Sequence, residues 1–156
     1  MIALASSGLH TNGYSLARKI AFEHLKLRVD SHVDELGETI GSALLRPHRS
    51  YLALISPLLD RQWIKGMAHI TGGGVTENLP RTLPSGLSFS LDHESWVVPP
   101  IFRWLQRSGG LDQAEMFRAF NMGVGLILVC APQHASDLLD SLHDAGEGAW
   151  IIGRVA

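Results

Sequence analysis

His69 to Arg81, H-I-T-G-G-G-V-T-E-N-L-P-R, is the stretch on which the reading of the whole chain turns. Just upstream, Ile64 to Thr71 alternates weakly and suits a strand that delivers its last residues to the triple glycine. Downstream, Thr76 to Leu83 has helical spacing until Pro84-Ser85-Gly86 breaks it. Gly72, Gly73 and Gly74 carry no Cβ, so a strand-loop-helix unit built on them leaves backbone N–H groups uncovered for a phosphate or nucleotide. The competing reading is a tight connection where two backbones pass closely. The flanks favour a site: His69, Thr71, Glu77, Asn78 and Arg81 supply a base, a hydroxyl, a carboxylate, an amide and a guanidinium, more polar chemistry than a turn requires. Neither G-x-G-x-x-G nor G-x-x-x-x-G-K-[ST] is matched, so neither a dinucleotide fold nor a P-loop follows.

Working outward, the same order occurs at the start of the chain. An apolar run from Met1 to Ala5 reads as a strand, Ser6 to Gly13 gathers turn formers and hydroxyls, and Tyr14 to Leu27 carries helical apolar spacing. Ser6, Ser7, Thr11 and Asn12 offer hydrogen-bond donors before a helix, either as an anion site or as an N-cap cluster. Further helices are expected over Glu38 to Leu45, Tyr51 to Leu59, Pro99 to Leu105, Asp112 to Phe120 (N-cap Asp112) and His134 to Ala145. Strands are expected at Leu87 to Leu91, Met122 to Ala131 and Trp150 to Val155, with a strand pair around Thr71 and Leu87. The architecture is therefore α+β, a layered mixed β-sheet with helices packed on it, in a single domain over residues 1–156. Asn121, in F-N-M-G-V-G at the mouth of the strongest strand, is either a turn amide or an edge that approaches ligand.

Composition narrows the partners. The chain has 156 residues, 46% hydrophobic and 18% charged with net charge −2, enough for one core and too little positive charge for a nucleic-acid surface. The lone Cys130 rules out a disulfide framework and fits a small packed hydrophobe. No apolar run approaches the length of a membrane span, and the first residues lack the basic flank of a signal, so a soluble cytoplasmic protein is expected. The chain opens inside an apolar run and closes on a strand-like one, as a piece of something longer would. Of eight histidines, only His10 and His69 lie in glycine-rich loops; His24, His32, His48, His93, His134 and His143 have no metal-ligand spacing and read as ordinary. No H-E-x-x-H or G-x-S-x-G motif is present, and the four tryptophans read as packing groups.

Three ordered segments, L-A-S-S-G-L-H-T-N-G-Y-S-L-A-R-K (Leu4 to Lys19), H-I-T-G-G-G-V-T-E-N-L-P-R and F-N-M-G-V-G (Phe120 to Gly125), resemble the C-terminal half of the phosphoribosylformylglycinamidine cyclo-ligase family, also called aminoimidazole ribonucleotide synthetase. The resemblance implies a purine-biosynthesis ligase that converts formylglycinamidine ribonucleotide and ATP to aminoimidazole ribonucleotide, ADP and phosphate. It also implies that ATP and Mg2+ are held mainly by an N-terminal ATP-binding domain, which this chain lacks, so that the chain alone is inactive. Formylglycinamidine ribonucleotide would be held by Ser6, Ser7, Gly8, Asn12, Gly13, Thr71, Gly72, Gly73, Gly74, Asn78, Arg81 and Asn121. Either His10 or His69 would be the catalytic acid/base that moves the proton lost on ring closure. A family homodimer resting on the N-terminal domain is implied, leaving this chain free to pair through surfaces normally covered. The other readings are a split subunit that works with a separate ATP-binding partner and a non-catalytic binding module; no nucleic acid and no membrane is expected as a partner.

Overall fold

A computed structural model describes residues 1–156. The chain runs β1 (Ile2–Ala5), α1 (Tyr14–Arg18), β2 (His32–Val33), β3 (Glu38–Thr39), α2 (Ile40–Leu44), α3 (Leu52–Leu59), β4 (Ile64–His69) and α4 (Gly74–Asn78). It continues with β5 (Phe89–Leu91), α5 (Pro100–Gly109), α6 (Gln113–Ala119), β6 (Val124–Cys130), α7 (Ala135–Asp144), β7 (Ala149–Ile151) and β8 (Gly153–Val155). A π-helical stretch, Lys19–His24, extends α1, and 3-10 turns follow α4 and precede α7.

The central sheet has strand order β4-β6-β1-β7, and every pairing in it is antiparallel. The α+β class holds, with an antiparallel sheet where a mixed one is expected from sequence. β4 does not pair with β5, contrary to the expected strand pair around Thr71 and Leu87; β5 instead joins β8 in a separate ribbon. That pairing splits the expected Trp150–Val155 strand in two. Ile152 is fully buried between β7 and β8, its N–H donating to Met1 O and its carbonyl accepting from Asp92 N, so the chain leaves one sheet and enters another across it.

The period-2 pattern gives the sheet two apolar faces. Ile2, Leu4, Leu126 and Leu128 pack against Ile55 and Leu58 of α3 and Leu138 and Leu142 of α7. Ala3, Ile127, Val124 and Ala68 face the opposite side with Ile70, Val75 and Trp96. Val124 and Ile127 share a face because the register slips between Leu4↔Leu126 and Ala5↔Val124, a β-bulge that leaves Gly125 opposite no residue. A third apolar cluster joins α1, α2, α5 and α6 around Phe102, Leu105, Met116 and Phe120. Local signals place the helices well: Pro100 opens α5, Gly110 closes it at φ 61°, and Asp112 with Glu115 forms a capping box on α6.

The sequence reading misses the short β2–β3 hairpin and sets the helix after the triple glycine too late: α4 begins at Gly74 itself. No helix is long and apolar enough to cross a membrane.

Candidate functional site

Three segments far apart in sequence meet at one end of the sheet: the loop after β1, the loop after β4, and the strap from Arg46 to Tyr51 between α2 and α3. The meeting point of the first two is Gly72, where a Cβ would lie 3.8 Å from Asn12 Oδ1.

In the first loop, His10 (φ 51°) and Thr11 (φ 66°) are consecutive non-glycine residues in the left-handed region, a conformation that stores strain and is held only by its surroundings. Those surroundings are explicit. The His10 carbonyl accepts from Thr11 Oγ1 and from Asn12 Nδ2, the latter at 2.9 Å. Ser6 Oγ donates to Asn121 Oδ1 (2.9 Å), which also accepts from Gly123 N (2.8 Å), while Asn121 Nδ2 donates to Gly8 O (2.8 Å). Asn121 is fully buried and used at both ends of its amide, so it holds the loop and does not itself face solvent. Gly13 is the residue preceding α1 (φ 71°), and no side chain caps that helix, so the N-cap cluster expected from Ser and Asn is not what the loop builds.

His10 is 1% exposed. Its Nε2 accepts from Ser7 N (2.9 Å) and Arg49 N (3.3 Å), which fixes the neutral tautomer with the proton on Nδ1. Nδ1 has no partner. Ser7 Oγ donates to Pro47 O (2.7 Å) and rests 2.9 Å from His10 Nε2. Burial, helped by His48, His69 and Arg49, pushes the His10 pKa down to about 4. Room for the ring comes from the bulge: a Cβ on Gly125 would meet Tyr51 Oη and stand 2.8 Å from His10 Cε1. The Tyr51 hydroxyl in turn donates to Ala5 O (2.6 Å) and its pKa is raised, chiefly by burial.

The glycine loop is built differently from the open row of N–H groups expected from sequence. Gly73 N donates to Arg118 O (3.1 Å) and Gly74 N to Thr71 O (3.0 Å). Gly74, at φ 61°, lies so close to Phe117 that a Cβ would fall inside the Phe117 carbonyl oxygen. Gly74 thus serves a close backbone approach, the Glu77 side chain fills the Cβ position of Gly73, and Gly72 alone is exposed, with only Asn12 Oδ1 near its Cβ position. Asn78 organises the turn: its Nδ2 donates to Thr71 O, Gly72 O and Gly74 O, and its Oδ1 accepts from Thr71 Oγ1 (2.9 Å) and Arg81 (3.5 Å). The groups of Thr71, Asn78 and Arg81 therefore bond chiefly to one another.

Sequence reasoning misses the strap. His48, read as an ordinary surface histidine, stacks on His10 with ring centroids 4.1 Å apart and 18° between planes, and its Nε2 lies 3.0 Å from Nε2 of His69. Neighbouring Arg49 bonds through its guanidinium to Glu147 Oε2 (2.7 Å), a carboxylate with a 3% exposed side chain. Burial raises the Glu147 pKa while Arg49 opposes the rise. No local motif marks these residues; their partners lie between 21 and 98 positions away, the last being 147 − 49. His69 is exposed at the end of β4, and partial burial together with His48 lowers its pKa. The result is a row of imidazoles, His10 under the surface, His48 over it and His69 at the rim.

Comparison with known proteins places the chain in a family. The family described as AIR synthase related protein, C-terminal domain, matches residues 1–156, and the chain belongs to that family. It is 48% identical over 156 residues to the phosphoribosylformylglycinamidine cyclo-ligase of Geobacillus kaustophilus (strain HTA426), 50% over 155 residues to that of Geobacillus thermodenitrificans (strain NG80-2), and 46% over 155 residues to that of Alkaliphilus metalliredigens (strain QYMF). These alignments cover 99–100% of this chain and 45% of each relative, so the chain spans about half the length of the relatives it matches.

Proposed function

We propose that this chain is one domain, the substrate-side wall of a phosphoribosylformylglycinamidine cyclo-ligase, working in the cytoplasm against an N-terminal ATP-binding domain. On this reading the whole enzyme converts formylglycinamidine ribonucleotide and ATP to aminoimidazole ribonucleotide, ADP and phosphate. The observation that carries the site is the junction of Asn12 with Gly72, which makes one surface of the two loops.

The residues present do not fit a magnesium-triphosphate cradle. No group of three His, Cys, Asp or Glu side chains is placed to hold a metal, and the Gly73 and Gly74 amides are bonded inside the protein. On this reading ATP and Mg2+ belong to the N-terminal domain, as does the family's homodimer contact. This chain's part is to bind and orient the ribonucleotide through the exposed edge formed by Thr11, Asn12 and Gly72, with Ser7, Gly8, Thr71, Asn78 and Arg81 beneath and beside it. Ser6, Gly13, Gly73, Gly74 and Asn121 set the loop shapes.

Ring closure strips a proton from the attacking amidine nitrogen. His10 is poorly suited to receive it: its pKa is about 4, and its Nε2 is engaged by the Ser7 and Arg49 amides. The exposed imidazole of His69 is the acceptor, with His10 acting as a positioning residue beneath His48.

Titrating the chain with formylglycinamidine ribonucleotide while following backbone amides by NMR tests the site. Shifts centred on Ser7–Asn12 and Thr71–Gly72 are expected, whereas shifts confined to other surfaces, or none, overturn it.

A further inference from the structure

We propose that His48 and His69 form a two-imidazole site for a late first-row divalent ion, with copper(II), nickel(II) and zinc(II) as the chemical class it takes. The inference uses the geometry of the two rings and does not rest on the cyclo-ligase reading, although His69 belongs to both: an ion on its Nε2 occupies a lone pair that the proposed proton transfer would use.

Their Nε2 atoms are 3.0 Å apart, with ring centroids at 5.0 Å and planes inclined by 43°. Metal–imidazole bonds of about 2.0–2.1 Å place two nitrogens about 2.9 Å apart at a right angle around the ion and about 3.3 Å apart at the tetrahedral angle. The observed spacing falls within that interval. Both residues are exposed, so an ion reaches them from solvent and the rings can turn their lone pairs toward it. Without metal, one Nε2 donates its hydrogen to the other; uptake requires the donor ring to carry that proton on Nδ1 instead, leaving both Nε2 lone pairs for the ion.

The ligands are also held in place before any ion arrives, which reduces the ordering cost of binding. His48 stacks on His10, itself fixed by Ser7 N, and its strap is tied down by Ser7 Oγ to Pro47 O and by Arg49 to Glu147. His69 sits in β4, paired with Leu126 of β6. His10 is not a third ligand, because its Nε2 accepts two amides and its Nδ1 is buried. No further His, Cys, Asp or Glu completes a set of three, so the remaining coordination positions are left for water or an anion. Such a site binds more weakly than a three- or four-ligand one and discriminates by the usual stability order, copper above nickel and zinc. Magnesium, which prefers oxygen donors, is excluded.

Calorimetry of the chain with Cu2+, Ni2+, Zn2+ and Mg2+ near pH 7, combined with NMR line broadening by Ni2+, tests the site. One equivalent of Cu2+ should bind most tightly, Mg2+ should not bind, and Ni2+ should broaden the His48 and His69 imidazole signals of the unmodified chain first. His48→Asn and His69→Asn should each weaken binding by at least about tenfold, to a common residual level, while His24→Asn binds as the parent does. No binding at millimolar metal, broadening centred on other histidines, or binding that survives His69→Asn overturns the proposal. The broadening experiment needs no variant, so a substitution that disturbs folding does not remove the test.

Discussion

At Gly72, Gly73 and Gly74, three residues of identical chemistry have different tasks. Gly74 holds a left-handed φ against the Phe117 carbonyl, whereas a Cβ on Gly72 would have ordinary contact 3.8 Å from Asn12 Oδ1. Left-handed backbone costs a residue with a Cβ about 1–2 kcal/mol before any overlap is added. Gly74→Ala is therefore expected to destabilise the chain by more than about 2 kcal/mol in urea unfolding, with Gly72→Ala within about 1 kcal/mol of the parent. Equal effects of the two substitutions would show that the glycine loop is packed otherwise. His10 gives a second prediction. Its folded pKa of about 4 lies below the ordinary value of about 6.5, so between those two pH values the unfolded chain binds a proton that the folded chain refuses. The stability this represents, up to about 3 kcal/mol, is present above about pH 6.5 and is lost as pH falls toward about 4. His69, also lowered, acts in the same direction. Urea melts across that window should show stability falling with pH in the parent and a shallower fall in His10→Gln; an unchanged slope contradicts the buried neutral imidazole.

At the scale of elements, what was legible in the sequence was what short-range physics determines. The Asp112 capping box, Pro100 at the start of α5 and Gly110 at its end announce helices within a few residues of themselves. Strand partners are another matter. Phe89–Leu91 alternates as a strand should, but nothing local says that its partner is Gly153–Val155, more than 60 residues on. The strap is the extreme case: His48 and Arg49 are an unremarkable exposed dipeptide until Ser7, His10, His69 and Glu147 are brought around them. The site loops were legible as polar, glycine-containing segments, although their inner workings were not. Asn78, read as lining the loop, and Asn121, read as either a turn amide or an edge that approaches ligand, are both bonded into the loops they shape. The strap carries its own prediction. Glu147→Gln should cost about 1–2 kcal/mol, between the worth of an exposed ion pair and that of breaking a buried one, because Arg49 keeps a 40% exposed side chain. It should also shift the His48 and His10 ring signals in NMR spectra. Loss of stability without any change at those rings would mean that Glu147 does not position the strap.

For the molecule as a whole, the sheet is the common frame. Its bulge at Gly125 makes the seat for His10, and the ends of β1 and β4 carry the two loops to the same place. Leu45, Leu52 and Val97 stay exposed, at 81%, 74% and 67%, and the proposed reading expects part of this apolar surface to be covered by the N-terminal domain. The most direct measurement of that account is phosphate release from ATP in the presence of formylglycinamidine ribonucleotide, with this chain mixed with the N-terminal half of the Geobacillus kaustophilus cyclo-ligase. The prediction is release and aminoimidazole ribonucleotide formation only when both halves are present. His69→Asn should lower kcat by about a hundredfold or more while leaving KM within a few-fold. Turnover by this chain alone, or a stable two-half complex that forms no product with the unmodified chain, would contradict it.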